Sequence, residues 1–386
     1  MDIKRVERLT AKFLISTAYN VSKIFPIKNQ ITFATFRTTN LTGNFKFIHD
    51  EVVKRNVGLK FKFLFKKFKP TLMGKADYLL HMINAGYQMA TSKFFIIDDY
   101  YFPAYVISPR KGTKIIQVWH ACGAFKKFGY DVLGKGYGAS ESYISDIKIH
   151  SNYDVVTVSS KEVAKHYATA FDMEEEKIYS TGIPRTDIFF SKDAIEEAKS
   201  RVYERFPALK NKRVVLYAPT FRGKGQTDVC FDMTVDLEAI NNSINDETVF
   251  ALKMHPFVKT RLENNMKNVV DLSDYEDIND LLMIADMLVT DYSSVIFEFS
   301  IMEKPIIMYA PDKEEYIAER DFYYEYDSFV PGPITKTTDE IIALMNCTSF
   351  DLSKVKAFKN KFFDYQDGKS TERFVKEFIE KGLNKY

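Results

Sequence analysis

The sequence predicts an α/β protein of two domains, each built on a mostly parallel sheet. Three observations predict it. Short apolar, β-branched runs recur along the chain with helical patterns between many of them, the alternation that builds strand–helix–strand units. The length of 386 residues suffices for two full-sized cores at roughly 100–200 residues per domain. A charged helical stretch over 195–212 then leads into a fresh strand, RVVLYAPT. With 46% hydrophobic and 27% charged residues, 16 Gly and 12 Pro, the chain is neither disordered nor of low complexity. Three scattered cysteines (Cys122, Cys230 and Cys347) are too few for a disulfide framework or a Cys-rich zinc site.

The elements follow in order. The N-terminus is charged first and then weakly apolar. Its longest uncharged stretch, 13–22, contains Ser, Thr, Tyr and Asn, which makes a poor signal-peptide core and is too short to span a membrane. Val6, Leu9, Phe13, Leu14 and Ala18 fall at helical spacing with Lys4, Arg5, Arg8 and Lys12 among them. An amphipathic helix results, docked on its own domain or lying on a membrane surface. Strands are expected at 30–36, at the alternating stretch 59–65, and at 93–97, 114–119 and 155–159. A junction falls within 185–195, followed by a helix over 194–206. Strands at 214–218, 249–254, 287–290 and 305–309 then alternate with helices at 236–244, 278–285 and 294–302. From Leu352 the chain reads as basic and aromatic helices without strand signals. The expected division is 1–190, a basic acceptor- and membrane-facing domain, then 191–351, a donor-binding domain. Helices over 352–386 pack back on the two.

Charge is unevenly spread. Residues 1–150 hold 24 Lys and Arg against 10 Asp and Glu, or +14, and the remainder holds 30 against 42, or −12. The densest basic run is 60–69, KFKFLFKKFK. A basic half implies an anionic partner. No RNP, helix-turn-helix or zinc-finger signature accompanies it, so nucleic acid is not the expected partner. An anionic membrane surface or a phosphate-rich acceptor accounts for the charge, at about 1 kcal/mol per basic residue near such a surface.

In parallel α/β sheets ligands gather outside the carboxyl ends of the strands, so the residues there carry the functional reading. After 114–119 comes His120, followed by small residues and by Lys126 and Lys127, an arrangement suited to general-base chemistry beside an anion. After 249–254 comes a second strand-end histidine, His255, followed by Pro256. Either histidine alone could be structural. No histidine pair has the spacing of a helical zinc motif. After 287–290 come Asp291, Ser293 and Ser294, opening a helix that carries Glu298. A helix start with free N–H groups suits phosphate, and Glu298 one turn on suits a sugar hydroxyl; an ordinary Ser cap with a surface Glu fits the spacing equally. Arg185 and Arg222 occupy turns where a guanidinium could grip phosphate or merely hold a loop. Asp271 and Ser273 read as a strand end and a helix cap.

These blocks, QVWHACGAFKKFG, TGIPRTD, VLYAPTFRG, KMHP and MLVTDYSSVIFEFSIMEKPIIMYAPD, run in order over about 114–312. Together they resemble the CDP-glycerol glycerophosphotransferases of wall teichoic acid synthesis. The resemblance implies a GT-B-like fold of two Rossmann-type domains facing a central cleft. It implies transfer of glycerol phosphate from CDP-glycerol to a hydroxyl of an undecaprenyl-pyrophosphate-linked acceptor, with release of CMP. Ribitol phosphate from CDP-ribitol is the alternative within the family, and a nucleotide-sugar glycosyltransferase or a non-catalytic membrane-binding scaffold lies outside it. By motif, His120 is then the base, His255 stabilises the diphosphate charge, Ser293 and Ser294 hold phosphate, and Glu298 holds the ribose. WHACGAFKK is closer to the priming enzymes than to polymerases that read WHGTPLKK. The implied location is peripheral, on the cytoplasmic face of the membrane. No cofactor or metal is demanded, because a helix N-terminus and cationic groups can offset the leaving charge.

Overall fold

The computed structural model describes residues 3–225, 228–230, 234–255, 258 and 266–383; Pro256, singled out above, lies outside them. The chain divides into two compact units, Met1–Asp187 with Asp367–Tyr386, and Ile188–Gln366.

The first unit holds a parallel sheet of β1 (Lys28–Thr35), β2 (Lys60–Phe65), β3 (Ser92–Ile97), β4 (Lys114–Gln117), β5 (Val155–Thr157) and β6 (Ile178–Tyr179), in the order β2-β1-β3-β4-β5-β6. Every residue of β3 is buried, as expected of a central strand covered on both faces. One face packs Ile31, Phe33, Phe94 and Ile96 against Phe45, Ile48 and Val52 of helix α2 (Gly43–Arg55). Phe374, Phe378 and Ile379, returning from the C-terminus, complete that core. The return is fastened at Asp187, whose carboxylate accepts from the Ser370 and Thr371 backbone N–H groups at 2.9 and 2.8 Å. Gly182, at φ +83°, permits it: a Cβ there would lie 2.2 Å from Ser370 Oγ.

Helices α1 (Ile3–Ser22) and α3 (Leu72–Thr91) pack together. They approach closely at Gly86, where a Cβ would stand 3.0 Å from the Ile15 carbonyl oxygen. Ile15, Tyr19 and Ser22 form the buried side of α1, while Ile3, Val6, Leu9, Phe13 and Val21 stand exposed. At 100° per residue the two sets fall on opposite sides of the helix. Docking and an outward apolar face therefore coexist. The basic residues of α1 are partly committed: Arg5 and Arg8 pair with Asp146, and Lys12 donates to its carbonyl at 2.8 Å.

In the second unit β7 (Arg213–Tyr217) precedes a two-stranded antiparallel ribbon, β8 (Arg222–Gly225) and β9 (Asp228–Cys230). The sheet continues with β10 (Thr248–Leu252), β11 (Val269–Asp271), β12 (Met287–Thr290), β13 (Ile306–Tyr309) and β14 (Ile334–Thr335), ordered β11-β10-β7-β12-β13-β14. Val215, Phe250, Leu252, Val289 and Ile307 pack with Leu237, Ile240, Ile341 and Met345. Elsewhere in the unit, Phe297 meets Phe358 and Phe362 of the Ser353–Phe362 helix, with ring centroids 5.0 and 5.2 Å apart. The C-terminal helices are thus divided: Ser353–Phe362 belongs to the second unit and the segment from Asp367 to the first.

Several strands stop earlier than expected. β4 ends at Gln117 because Trp119 takes φ +47°, outside the strand region. β5 ends at Thr157, after which Ser159 Oγ donates to the Cys122 carbonyl and Ser160 caps the Lys161–Phe171 helix. β10 ends at Leu252, after which Lys253 Nζ donates to the carbonyls of Ser273 and Tyr275.

Both sheets are doubly wound. In the first, the chain builds β2 on one side of β1 and then crosses to β3 on the other, so its switch point lies between β1 and β3. In the second the corresponding point lies between β7 and β12. These are the places where open α/β sheets bind ligands.

Candidate functional site

At the carboxyl end of the first sheet, His120 sits on the turn after β4. Its Nδ1 lies 3.2 Å from the Asp98 carbonyl oxygen, which can only accept, so Nδ1 carries the hydrogen. In the neutral ring Nε2 is therefore the basic atom. Burial, then the positive charges of Arg37 and Arg185, lower its pKa to about 3 against the pull of that hydrogen bond. The side chain still keeps 34% of its surface exposed, so a reactant can reach it. At neutral pH the imidazole is unprotonated, the form a general base requires.

The turn that presents His120 is clamped. Trp119 occupies the left-handed region at φ +47°, strained for a bulky residue by about 1–3 kcal/mol. Gln117 accepts the Trp119 N–H at 2.9 Å and donates to the Asp99 carbonyl at 3.0 Å, tying the turn to the end of β3. Asn44, at the start of α2 and 5% exposed, donates to the Trp119 and Val118 carbonyls at 3.0 and 3.3 Å. Its Oδ1 accepts the Arg185 N–H at 3.1 Å. Arg185 Nη2 in turn donates to the His120 carbonyl at 3.1 Å. Arg185 thus bonds the turn that carries His120 directly. Lys126 is half-buried in the loop that follows.

Arg37, Asp98 and Asp99 are functional candidates that the sequence reading missed. Arg37 follows β1, and the two aspartates follow β3, so they flank the switch point. Asp99 Oδ1 lies 3.9 Å from His120 Nδ1, and its Oδ2 lies 3.5 Å from Arg37 Nη1. Burial pushes Asp98 up to about 6, with the Thr35 hydroxyl opposing, and raises Asp99 with Arg37 opposing. The available signal was adjacency: a doublet of acids directly after the apolar run SKFFII, and a lone arginine after TFATF.

In the second unit the switch point is bridged by Arg222 and Asp291. Asp291 Oδ1 accepts the backbone N–H groups of Thr220 and Tyr292 at 2.9 and 2.6 Å, and Oδ2 accepts Arg222 Nη1 at 2.9 Å. Arg222 also forks onto Asp312, Nε and Nη2 reaching its two oxygens at 2.6 and 3.1 Å. Its guanidinium lies 5.1 and 4.9 Å from the rings of Tyr292 and Tyr316. Burial works against the charge, but the bond to Asp312 and the two carboxylates outweigh it and hold Arg222 firmly protonated. One guanidinium between two carboxylates makes a clamp with net negative charge. It fixes the turn on which Ser293 and Ser294 sit. Ser294 is the cap of the Val295–Ile301 helix without a side-chain cap bond, and Val295 N–H reaches Ser293 Oγ at 3.5 Å. Glu298 is buried in that helix at 5% exposure. His255 is half-buried after β10, its ring 4.5 Å from that of Phe221. Ser273 supports the same turn by accepting the Met254 N–H at 3.1 Å. Among the described residues no three His, Cys, Asp or Glu side chains form a metal-ligating group.

Comparison with known proteins follows the same lines. The sequence profile of the CDP-glycerol:poly(glycerophosphate) glycerophosphotransferases matches residues 17–380. The chain is 40% identical to the teichoic acid ribitol-phosphate primase of Bacillus spizizenii, over 97% of this chain and 98% of that protein. It is 34% identical to the teichoic acid glycerol-phosphate primase of Bacillus subtilis, over 78% of this chain and 77% of the other. The structure of the wall teichoic acid polymerase TagF shares the fold, with a TM-score of 0.76 at 21% identity over 99% of this chain and 97% of that one. The fold is GT-B-like, and the chain belongs to the CDP-glycerol:poly(glycerophosphate) glycerophosphotransferase family.

Proposed function

We propose that this chain transfers a polyol phosphate from a CDP-polyol to a hydroxyl of a lipid-linked acceptor, releasing CMP, with CDP-ribitol as the donor. The geometry at His120 carries the chemical part: a neutral imidazole whose Nδ1 is bound to a carbonyl and whose Nε2 is left as the base. The acceptor hydroxyl gives its proton to Nε2, and its oxygen bonds to the phosphorus that bears the polyol. The bond from that phosphorus to the oxygen of CMP breaks, and CMP leaves with the electron pair. Asp99, 3.9 Å from Nδ1, supports the imidazolium that forms. His255, Ser293 and Ser294 hold the donor diphosphate in this reading, Glu298 holds its ribose, and Arg222 clamps their turn. No cofactor is required.

Ribitol is favoured by end-to-end similarity to a ribitol-phosphate primase at 40%, against 34% over a shorter span for a glycerol-phosphate primase. CDP-glycerol is the second reading, favoured by the family to which the chain belongs. An undecaprenyl-diphosphate acceptor at the cytoplasmic face of the membrane fits the basic first half and the outward apolar side of α1. Leu72, 86% exposed at the start of α3, and Met73 add exposed apolar side chains in the same unit. Among the described residues no helix is long and apolar enough to cross a membrane.

The test is CMP release from CDP-ribitol and CDP-glycerol in parallel, with and without a diphosphate-linked glycolipid acceptor. Acceptor-dependent release from one donor, lost on His120→Ala, is expected. Release that persists in His120→Ala would remove the base assignment.

A further inference from the structure

The Arg37–Asp99–His120 arrangement has a property that neither the motif blocks nor the acid–base assignment uses. Arg37 and His120 lie against the same carboxylate. Asp99 presents Oδ2 to Arg37 Nη1 at 3.5 Å and Oδ1 to His120 Nδ1 at 3.9 Å. The ion pair is long, whereas a forked guanidinium–carboxylate pair closes to under about 3 Å at both contacts. Arg37 keeps 45% of its side chain exposed, at the switch point between β1 and β3 where such sheets take ligands. The charged groups facing His120 are Arg37 after β1, Asp99 after β3 and Arg185 after β6, while Asp98 meets it through its backbone carbonyl. Arg185 is held by its bonds to the His120 carbonyl and Cys122 Sγ. Arg37 is the cation in this set with both solvent access and a weak partner.

We propose that Arg37 binds a phosphate group of the acceptor, and that its departure from Asp99 makes His120 a stronger base once the acceptor is in place. A phosphate offers the guanidinium a bidentate partner that Asp99 does not. Drawing Arg37 toward the phosphate removes a positive charge from the neighbourhood of the imidazole and frees Asp99 to stabilise its protonated form. The acceptor hydroxyl proton then passes to Nε2 as its oxygen bonds to phosphorus and CMP departs. Without acceptor, the histidine stays a poor base and the donor is protected from attack by water. The identity of the phosphate as the acceptor's rests on the proposed transferase function.

The protein carries its own reporter. Its single tryptophan is Trp119, whose ring stacks on His120 with centroids 4.5 Å apart. The full-length chain is titrated with glycerol 3-phosphate at constant ionic strength, followed by tryptophan fluorescence, with sodium chloride as the control. A saturable change is expected in the natural chain, weakened at least tenfold in Arg37→Ala and partly restored in Arg37→Lys. No response, a response equal to that of chloride, or equal responses in the natural chain and Arg37→Ala would each overturn the proposal. In turnover, Arg37→Ala is expected to raise KM for the acceptor at least tenfold and to leave KM for the CDP-polyol within twofold. Asp99→Asn is expected to lower kcat without raising the acceptor KM. A donor KM shifted as much as the acceptor KM would place Arg37 on the donor and overturn the assignment. A phosphate response without any CMP release would keep the Arg37 site while refuting the transferase reading.

Discussion

Replacing Asn44 by alanine tests whether the geometry at His120 is held from outside its own turn. The amide donates to the Trp119 and Val118 carbonyls and accepts the Arg185 N–H. Alanine removes all three bonds and leaves two carbonyls and one N–H unpaired in a buried place. At about 0.5–1.5 kcal/mol for each bond, the expected loss is about 3 kcal/mol, a substantial share of the ~5–15 kcal/mol that holds a domain folded. The left-handed Trp119 backbone then loses one of its two restraints, Gln117 being the other. A displacement of about 1 Å at a reacting group costs roughly a hundredfold in rate. The variant should therefore show a lower urea midpoint and, at a temperature where it remains folded, a kcat for CMP release reduced about a hundredfold. Its KM for the CDP-polyol should stay unchanged, because the residues assigned to the donor lie in the other unit. Asn44→Asp keeps the acceptor for Arg185 but sets a carboxylate against two carbonyl oxygens, and should be no better than alanine. An Asn44→Ala chain with unfolding free energy within 0.5 kcal/mol of the natural one and undiminished kcat would refute the reasoning.

Four further outcomes are expected. His150 is held near 3 by burial, below its unfolded value of about 6.5; the unfolded state binds the extra proton, so stability falls as pH drops from about 6.5 toward 3. In His150→Phe, which keeps the stack on Phe171 at 4.0 Å, the fall in urea midpoint between pH 7.5 and 5 should be smaller, and an equal fall would contradict the assignment. Arg222→Lys loses the fork onto Asp312 and should destabilise the protein by about 2–3 kcal/mol while raising donor KM, measured by urea unfolding and CMP release; unchanged values for both would show that the clamp is idle. Phe13→Glu and Leu72→Glu should each weaken sedimentation with anionic vesicles at least tenfold, with unfolding free energy held within about 0.5 kcal/mol; undiminished binding would assign membrane contact to other residues. CMP release should survive EDTA treatment, and its loss with recovery on added magnesium would show that an ion bridges the diphosphate.

Legibility followed locality. β12, over 287–290, was readable to the residue because a four-residue apolar run between turn residues has one reading. Helix α3, by contrast, was not singled out. Its start exposes Leu72 and Met73 while its end is buried among neighbours, so no single apolar stripe runs its length. His120 and His255 stood out as strand-end histidines followed by distinctive residues. Asn44, Gln117, Arg37 and Asp99 did not, because an Asn near a helix start or a Gln at a strand end has no local signature. Their meaning arises when β1, β3 and β4 become neighbours across 80 residues of sequence, which only the sheet order reveals. Arg222 shows the same limit from the other side. Its position in the turn was visible, but its two carboxylate partners, at 291 and 312, were visible only in three dimensions.

The return of Asp367–Tyr386 to the first unit bears on the order in which the protein is made. The second unit is one uninterrupted stretch of chain and can fold as soon as it leaves the ribosome. The first unit cannot finish until Phe374, Phe378 and Ile379, which cover one face of its sheet, have followed the whole second unit out of the ribosome. Until then that face, with Ile31, Phe33, Phe94 and Ile96, lacks part of its cover. A nascent chain stalled at residue 366 should thus contain a folded second half and a first half that binds chaperone. Expression of 1–187 alone should yield an aggregating fragment, whereas 188–366 should be recoverable by itself.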